Sequence, residues 1–286
     1  MMIDLVKWYE DVNYKALMII PTLLIIFSVA FLFYQYQTTG EWFQKGIDLK
    51  GGTLLSIEAK EAVNDFELEQ YLQEKGWKVE VKAFSSVSGQ GLSIETSPNI
   101  DQDKLLQNVK DFGVNVDSYS FQSVGSKLSE SFFEQSRLAL ILAFLFMGIV
   151  VFIVFKEYIP GLAVILAAFT DIVGTLAFMQ ILGINLTLAS FSGLLLILGY
   201  SIDTDILLTT RVIKRRKGTV VSRSIRAMKT GFTMGFTTLG ALTVLYLVSN
   251  APTLKEIASV LIIALLIDLI STWLMNLGIL RWWKGA

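Results

Sequence analysis

The chain has 286 residues, of which 53% are hydrophobic and 17% charged, with a formal net charge of -1. An ordinary soluble domain carries about 25% charged residues, so the deficit points to a membrane protein, and no bulk basic field argues for nucleic acid. The absence of cysteine and histidine excludes disulfides, thiol catalysis, zinc or haem sites built on those residues, and His-dependent triads. Proton chemistry must run on carboxylates, lysine, tyrosine or water, and neither a cofactor nor a metal is expected.

A helix needs roughly 20 apolar residues to cross a bilayer core of about 30 Å. Six stretches qualify: Ala16–Tyr36, Leu138–Phe155, Leu162–Leu182, Leu188–Leu208, Gly231–Ser249 and Ile257–Leu280. The first is too long for a cleavable signal and ends on the interfacial Tyr34-Gln35-Tyr36, so a retained span is expected. Residues 37–137 hold 16 acidic and 10 basic side chains and read as a polar domain. The expected plan is three units: residues 1–36 with the first span, the 37–137 domain, and a five-helix bundle over 138–286.

Within 37–137 the hydrophobic rhythm gives a strand at Leu54–Ala59, a helix at Asn64–Lys75 capped by Asn64 with Glu67 three residues on, and a strand at Trp77–Phe84. A turn Ser88-Gly89-Gln90-Gly91, a strand at Leu92–Thr96, a helix at Asp101–Phe112 and a strand at Val114–Val124 follow. The order β-α-β-β-α-β is the ferredoxin-like plan. The acids here lie on solvated helix faces, so a binding surface is expected rather than a reaction site.

Residues 211–230 carry Arg211, Lys214, Arg215, Arg216, Lys217, Arg223, Arg226 and Lys229 without an acid. The positive-inside rule places this connection in the cytoplasm. Both termini then lie inside and 37–137 outside the plasma membrane, in agreement with Arg281 and Lys284. Anionic lipid accounts for the basic cluster without nucleic acid.

Carboxylates inside spans are costly and by default mark a pathway or a proton site. Four occur: Asp171, Asp203, Asp205 and Asp268. Asp203 and Asp205 are two residues apart, about 200° around a helix, and face opposite ways. Asp203 stands foremost among the candidates. Thr237 and Thr238 enter the fifth span to a similar depth and could hydrogen-bond a carboxylate, and Lys229 is the nearest cation, or snorkels at the interface. Gly231 and Gly235 form a small-xxx-small spacing that permits close helix contact. Neutral packing of protonated aspartic acids is the alternative reading.

The segment Gly46-Ile47-Asp48-Leu49-Lys50-Gly51-Gly52-Thr53 resembles the signature that opens the outer domain in the SecD/SecF family of protein-export membrane proteins. Leu198-Gly199-Tyr200-Ser201-Ile202-Asp203-Thr204-Asp205, followed by Arg211, resembles the Gly-Tyr-Ser-Ile-Asn-Asp motif of the family's SecF branch. The six-span layout with one outer domain also matches, so the resemblance covers the whole chain. It implies the resistance-nodulation-division architecture, a SecD partner, association with the Sec translocation channel, exported polypeptides as cargo, and use of the proton gradient through Asp203, or Asp205 if the register shifts. It does not imply an enzyme. Asp-Thr-Asp stands in place of Asn-Asp-Thr and the fifth span lacks an internal arginine; both departures resemble archaeal members. Gly51-Gly52 reads as a strand-entry turn, with a hinge as the alternative. Competing functions are a purely structural subunit of the channel complex and a half-transporter of small molecules or lipids.

Overall fold

The computed structural model describes residues 12–59, 63–86, 89–214, 218–249 and 251–285. In chain order these form α1 (Tyr14–Thr39), a helical turn α2 (Ile47–Lys50), β1 (Gly52–Ala59), α3 (Asp65–Glu74), β2 (Val79–Ser86), β3 (Gly89–Thr96), α4 (Gln102–Asp111) and β4 (Val116–Val124). There follow α5 (Ser126–Phe155), α6 (Tyr158–Ile181), α7 (Leu188–Lys214), α8 (Val220–Val248), α9 (Pro252–Ile270), a π-helical turn over Ser271–Asn276, and α10 (Leu277–Lys284). The last three run on as one helix. Among the described residues, six helices are long and apolar enough to cross a membrane: α1, α5, α6, α7, α8 and the continuous Pro252–Lys284 helix.

Two helices start about three turns before their apolar runs. Helix α5 begins at Ser126 rather than Leu138, so the sheet unit ends at Val124 and the expected boundary at 137 falls inside a helix. Glu130, Glu134 and Arg137 are exposed on this polar extension, while Ser129 donates to the Ile47 carbonyl at 3.2 Å. Helix α8 begins at Val220 rather than Gly231 because Thr219 caps it, accepting the Ser222 N–H at 3.1 Å. The expected basic connection is therefore largely helical. Arg211 and Lys214 end α7, Arg223, Arg226 and Lys229 ride the first turns of α8, and Arg215, Arg216 and Lys217 lie outside the described residues. Ser88 also lies outside them, while Gly89, Gln90 and Gly91 belong to β3 rather than to a turn.

The four strands form one antiparallel sheet in the order β2-β3-β1-β4. Leu55 and Ile57 of β1 and Leu92 and Ile94 of β3 pack against Leu68 and Leu72 of α3 and Leu105 and Val109 of α4. Alternation puts these residues on one face and Ser56 and Glu58 on the other. Asn64 and Asp101 cap the two helices through the N–H groups of Glu67 and Lys104, the first as its spacing predicts. Gly52 enters β1 at φ 153°, and a Cβ there would stand 2.7 Å from the Thr96 carbonyl oxygen, so only glycine fits this close approach.

The bundle has a separate core of α5, α6, α7 and α9 side chains, including Val151, Val164, Ala168, Leu194 and Val260. Helix α8 lies at the periphery, its buried positions being Val221, Ser224, Ala227, Gly231 and Gly235. At Gly231 a Cβ would lie 2.2 Å from Cζ2 of Trp273, so α8 approaches the last span only because that side chain is missing. Gly231→Ala is expected to destabilise the bundle by about 1–3 kcal/mol through overpacking. Gly240→Ala, with open space around it, should be close to neutral. Thermal unfolding of both variants in detergent checks the contrast.

Candidate functional site

Asp171 of α6, Asp205 of α7 and Asp268 of α9 come together where the three helices cross, at 1%, 0% and 1% exposure. Asp203 points the other way on α7 and is exposed, because two residues turn a helix by about 200°. The foremost candidate from the sequence thus lies outside the cluster, and its neighbour lies within it.

Each acid takes its hydrogen bonds largely from another element. Asp171 accepts from Ser201 Oγ at 2.6 Å and from Ser271 Oγ at 2.5 Å. Asp205 Oδ1 accepts from Asn276 Nδ2 at 2.7 Å and lies 3.0 Å from Thr272 Oγ1. Asp268 Oδ1 also lies 3.0 Å from Thr272 Oγ1, and its Oδ2 is 3.4 Å from Thr204 Oγ1. Thr272 has a single hydroxyl proton, so Asp205 and Asp268 either share it or one of them returns a proton to the Thr272 oxygen.

The π turn supplies most of these donors: Ser271, Thr272 and Asn276 all belong to it. Such turns widen a helix and recur at functional sites. Three further oxygens at the cluster are buried without a partner, namely Asp205 Oδ2, Asn276 Oδ1 and Thr209 Oγ1, one turn beyond Asp205. Among the described residues, none of the three carboxyls forms an ion pair, and no group of three His, Cys, Asp or Glu side chains is arranged to hold a metal ion.

The fifth-span candidates do not reach the cluster. Thr237 is exposed and donates to the Thr233 and Met234 carbonyls of its own helix at 2.9 and 2.8 Å. Thr238 is half-buried beside the Tyr200 hydroxyl, and Lys229 is exposed. Of the Gly199-Tyr200-Ser201 segment, Ser201 enters the cluster and Gly199 stands in open space. Ser271, Thr272 and Asn276 were not singled out in the sequence. Their signal was present: Asp268, Ser271, Thr272 and Asn276 recur at the i, i+3, i+4, i+8 spacing of one polar helix face within an apolar span.

The 46–53 segment joins the sheet unit to the bundle. Gly46 N–H donates to the Leu186 carbonyl at 2.8 Å, Leu186 N–H to Gln44 at 2.7 Å, and Thr53 and Ser123 hydroxyls meet at 2.9 Å. Gly51 turns the chain at φ 82°. Asp48 sits in α2 facing Glu95 and the Leu188 N–H. Burial raises its carboxyl above the ordinary aspartate range; the Leu188 hydrogen bond opposes this and Glu95 adds to it. A carboxyl raised in the folded state loses stabilisation as pH rises through its folded value. Asp48→Asn is therefore expected to raise the unfolding temperature near neutral pH. The advantage should vanish at low pH, where both side chains are neutral. Thermal melts across the acid range check this.

A family model described as the C-terminal region of the protein export membrane proteins SecD/SecF matches residues 104–286. The protein-export membrane protein SecF of Methanothermobacter thermautotrophicus is 41% identical over 276 residues, covering 95% of this chain and 93% of that protein. SecF of Methanocaldococcus jannaschii is 39% identical over 281 residues, covering 95% and 96%. SecF of Pyrococcus furiosus is 36% identical over 276 residues, covering 96% and 93%. Among solved structures, SecDF from Thermus, described as a translocon-associated membrane protein, superposes with a TM-score of 0.76 at 21% identity. A SecDF in a super-membrane-facing form gives 0.58 at 19%. Each covers 96% of this chain, which spans only 38% and 39% of those SecDF chains; at such identity the likeness is one of fold.

Proposed function

The chain belongs to the SecF family of protein-export membrane proteins, and from that premise we propose that it works beside a SecD partner at the Sec translocation channel, helping exported chains across the plasma membrane at the expense of a proton gradient. The buried carboxyl cluster carries the coupling part of this reading. Helix α6 rises about 1.5 Å per residue, so Asp171 stands roughly 20 Å from Tyr158 and roughly 15 Å from Ile181, near mid-membrane. Asp205 and Asp268 meet it there.

Three negative charges in an apolar bundle, with no basic side chain among the described residues paired to them, would each carry a desolvation penalty of several kcal/mol. The cluster must therefore hold protons, and the Thr272 hydroxyl, 3.0 Å from both Asp205 and Asp268, makes two full hydrogen bonds only when one of those carboxyls returns a proton to it. Losing a proton changes the preference of the site between a dry and a wetted packing of α6, α7 and the last span, which is the bias a two-state bundle needs. Each charge moved through 100 mV supplies about 2.3 kcal/mol, enough to favour one packing over another. On this reading Asp205, Asp171 and Asp268 carry the coupling, and Asp203 does not.

The basic ends of α7 and α8 support a cytoplasmic position for that side of the bundle, with both termini inside and the sheet unit outside. The sheet unit is read as ferredoxin-like, on its β-α-β-β-α-β order and its β2-β3-β1-β4 sheet. One observation favours a purely structural subunit: Asp171 accepts two hydroxyls, as a neutral packing residue would.

Export of a secretory protein into vesicles carrying this chain and SecD separates the two readings. Asp205→Asn keeps the size and the Oδ1 acceptor but cannot release a proton. The gradient-stimulated rate is expected to fall by about tenfold, equivalent to ~1.4 kcal/mol of lost coupling, with the rate in the absence of a gradient unchanged. Thr237→Val, exposed and bonded only within its own helix, should leave both rates intact. An undiminished response in Asp205→Asn would leave the structural subunit standing.

A further inference from the structure

A second acidic site lies at the other end of the last span, where the sheet unit meets the bundle. A cavity of 460 Å³ opens there, lined among others by Lys82, Glu95, Asn185, Thr187, Lys255 and Glu256. Three of these tie the two parts together, and Thr187 and Glu256 sit beside the ties. Lys82 Nζ donates to the Gly183 carbonyl at 2.9 Å, Asn185 Nδ2 donates to Glu95 at 3.4 Å, and the Thr187 hydroxyl donates to the half-buried Glu256 carboxyl.

We propose that Glu256 is a proton-binding positioning residue whose protonation holds the sheet unit docked on the bundle and whose ionisation loosens it. This deepens the proton-coupled reading above and rests on it only for the use made of the movement.

The charges facing Glu256 carry the case. Asp48 of α2 and Glu95 of β3 place two further carboxylates near it, and Lys82 of β2 opposes them. Lys50 is committed to Glu95 at 3.1 Å, and Lys82 is shared with Glu80 at 2.9 Å. Asp65, also on the cavity wall, accepts the Ala83 N–H at 3.3 Å. Lys255, next along α9, lies with its ammonium 5.8 Å from the centre of the Tyr246 ring. Ionised Glu256 thus adds a third carboxylate to a seam whose other two belong to the sheet unit and its connector, and repulsion in a partly buried site is screened little by salt. Protonated Glu256 removes that charge. It also brings an O–H donor into a cavity whose wall holds an acceptor with no partner, the buried Asn185 Oδ1. Apart from Leu49 of the connector, which packs in the bundle core, the remaining ties across the seam are hydrogen bonds, each worth about 0.5–1.5 kcal/mol net, a scale on which one added charge shifts the balance.

The chain has no native cysteine, which allows two labels to be placed cleanly. Spin labels on Lys110→Cys of α4 and Leu182→Cys beyond α6, both exposed, report the separation of sheet unit and bundle by pulsed electron paramagnetic resonance. The full chain is used with SecD in lipid nanodiscs, from about pH 5 to about pH 9. The docked-to-undocked ratio is expected to fall with rising pH, by at most about tenfold per pH unit for one proton. Glu256→Gln should stay docked throughout, and Glu256→Asp should restore the pH response. Thr187→Val, which removes the hydroxyl that favours the carboxylate, should move the transition to higher pH. A Glu256→Gln profile that follows the parent, or a parent profile flat with pH, overturns the proposal. The readout needs no export and no gradient, so Asp205→Asn, measured in both assays, tells failure of this proposal from failure of the coupling reading.

Discussion

A carboxyl group buried among apolar helices has to find its hydrogen bonds inside the protein, since an unmatched polar group in such a place costs free energy on the order of several kcal/mol. Here the donors lie mostly across helix boundaries. Asp171 on α6 is met by Ser201 on α7 and Ser271 in the π turn; Asp205 on α7 is met by Thr272 and Asn276. Sliding any of the three elements by one turn would strand several of these groups at once. The cluster therefore fixes the register of α6, α7 and the last span, and the more peripheral α1, α5 and α8 pack around that fixed centre.

The sheet unit answers to different forces. Its apolar core, built on Leu55, Leu68, Ile94 and Leu105, is distinct from that of the bundle; the connector joins the bundle through Leu49 in the bundle core and through polar contacts around Gly46, Leu186, Gln180 and Lys82. A polar seam between two separate hydrophobic cores costs little to open compared with either core. Rigid centre, self-contained sheet unit and polar seam are the parts that the proposed conversion of proton occupancy into relative displacement requires.

Much of this was legible in the residues. Apolar runs located all six spans, and the cap at Asn64 and the hydrophobic rhythm over Asp101–Phe112 set both helices of the sheet unit within a residue. Hydropathy could not see the polar first turns of α5 and α8, because a helix extending past the bilayer has no need of apolar side chains. Opposite facing of Asp203 and Asp205 followed from helical geometry alone, but which of them faces inward depends on the rotation of α7 about its axis, and that is decided by packing against α6 and the last span. Thr272 and Asn276 left a periodic trace on one polar face, but what stands opposite them is subject to the same limit.

The π turn over Ser271–Asn276 is in effect one surplus residue lodged in a long helix. A surplus of this kind behaves as a dislocation does in a crystal: it can step along the helix by exchanging one backbone hydrogen bond at a time, without the helix melting. Each step would re-face only the residue the surplus passes over, while the Pro252 end and the segment from Leu277 to Lys284 stayed seated. Because Ser271 and Thr272 sit in the dislocation itself, the side chains that hold the acids are also those displaced when it moves.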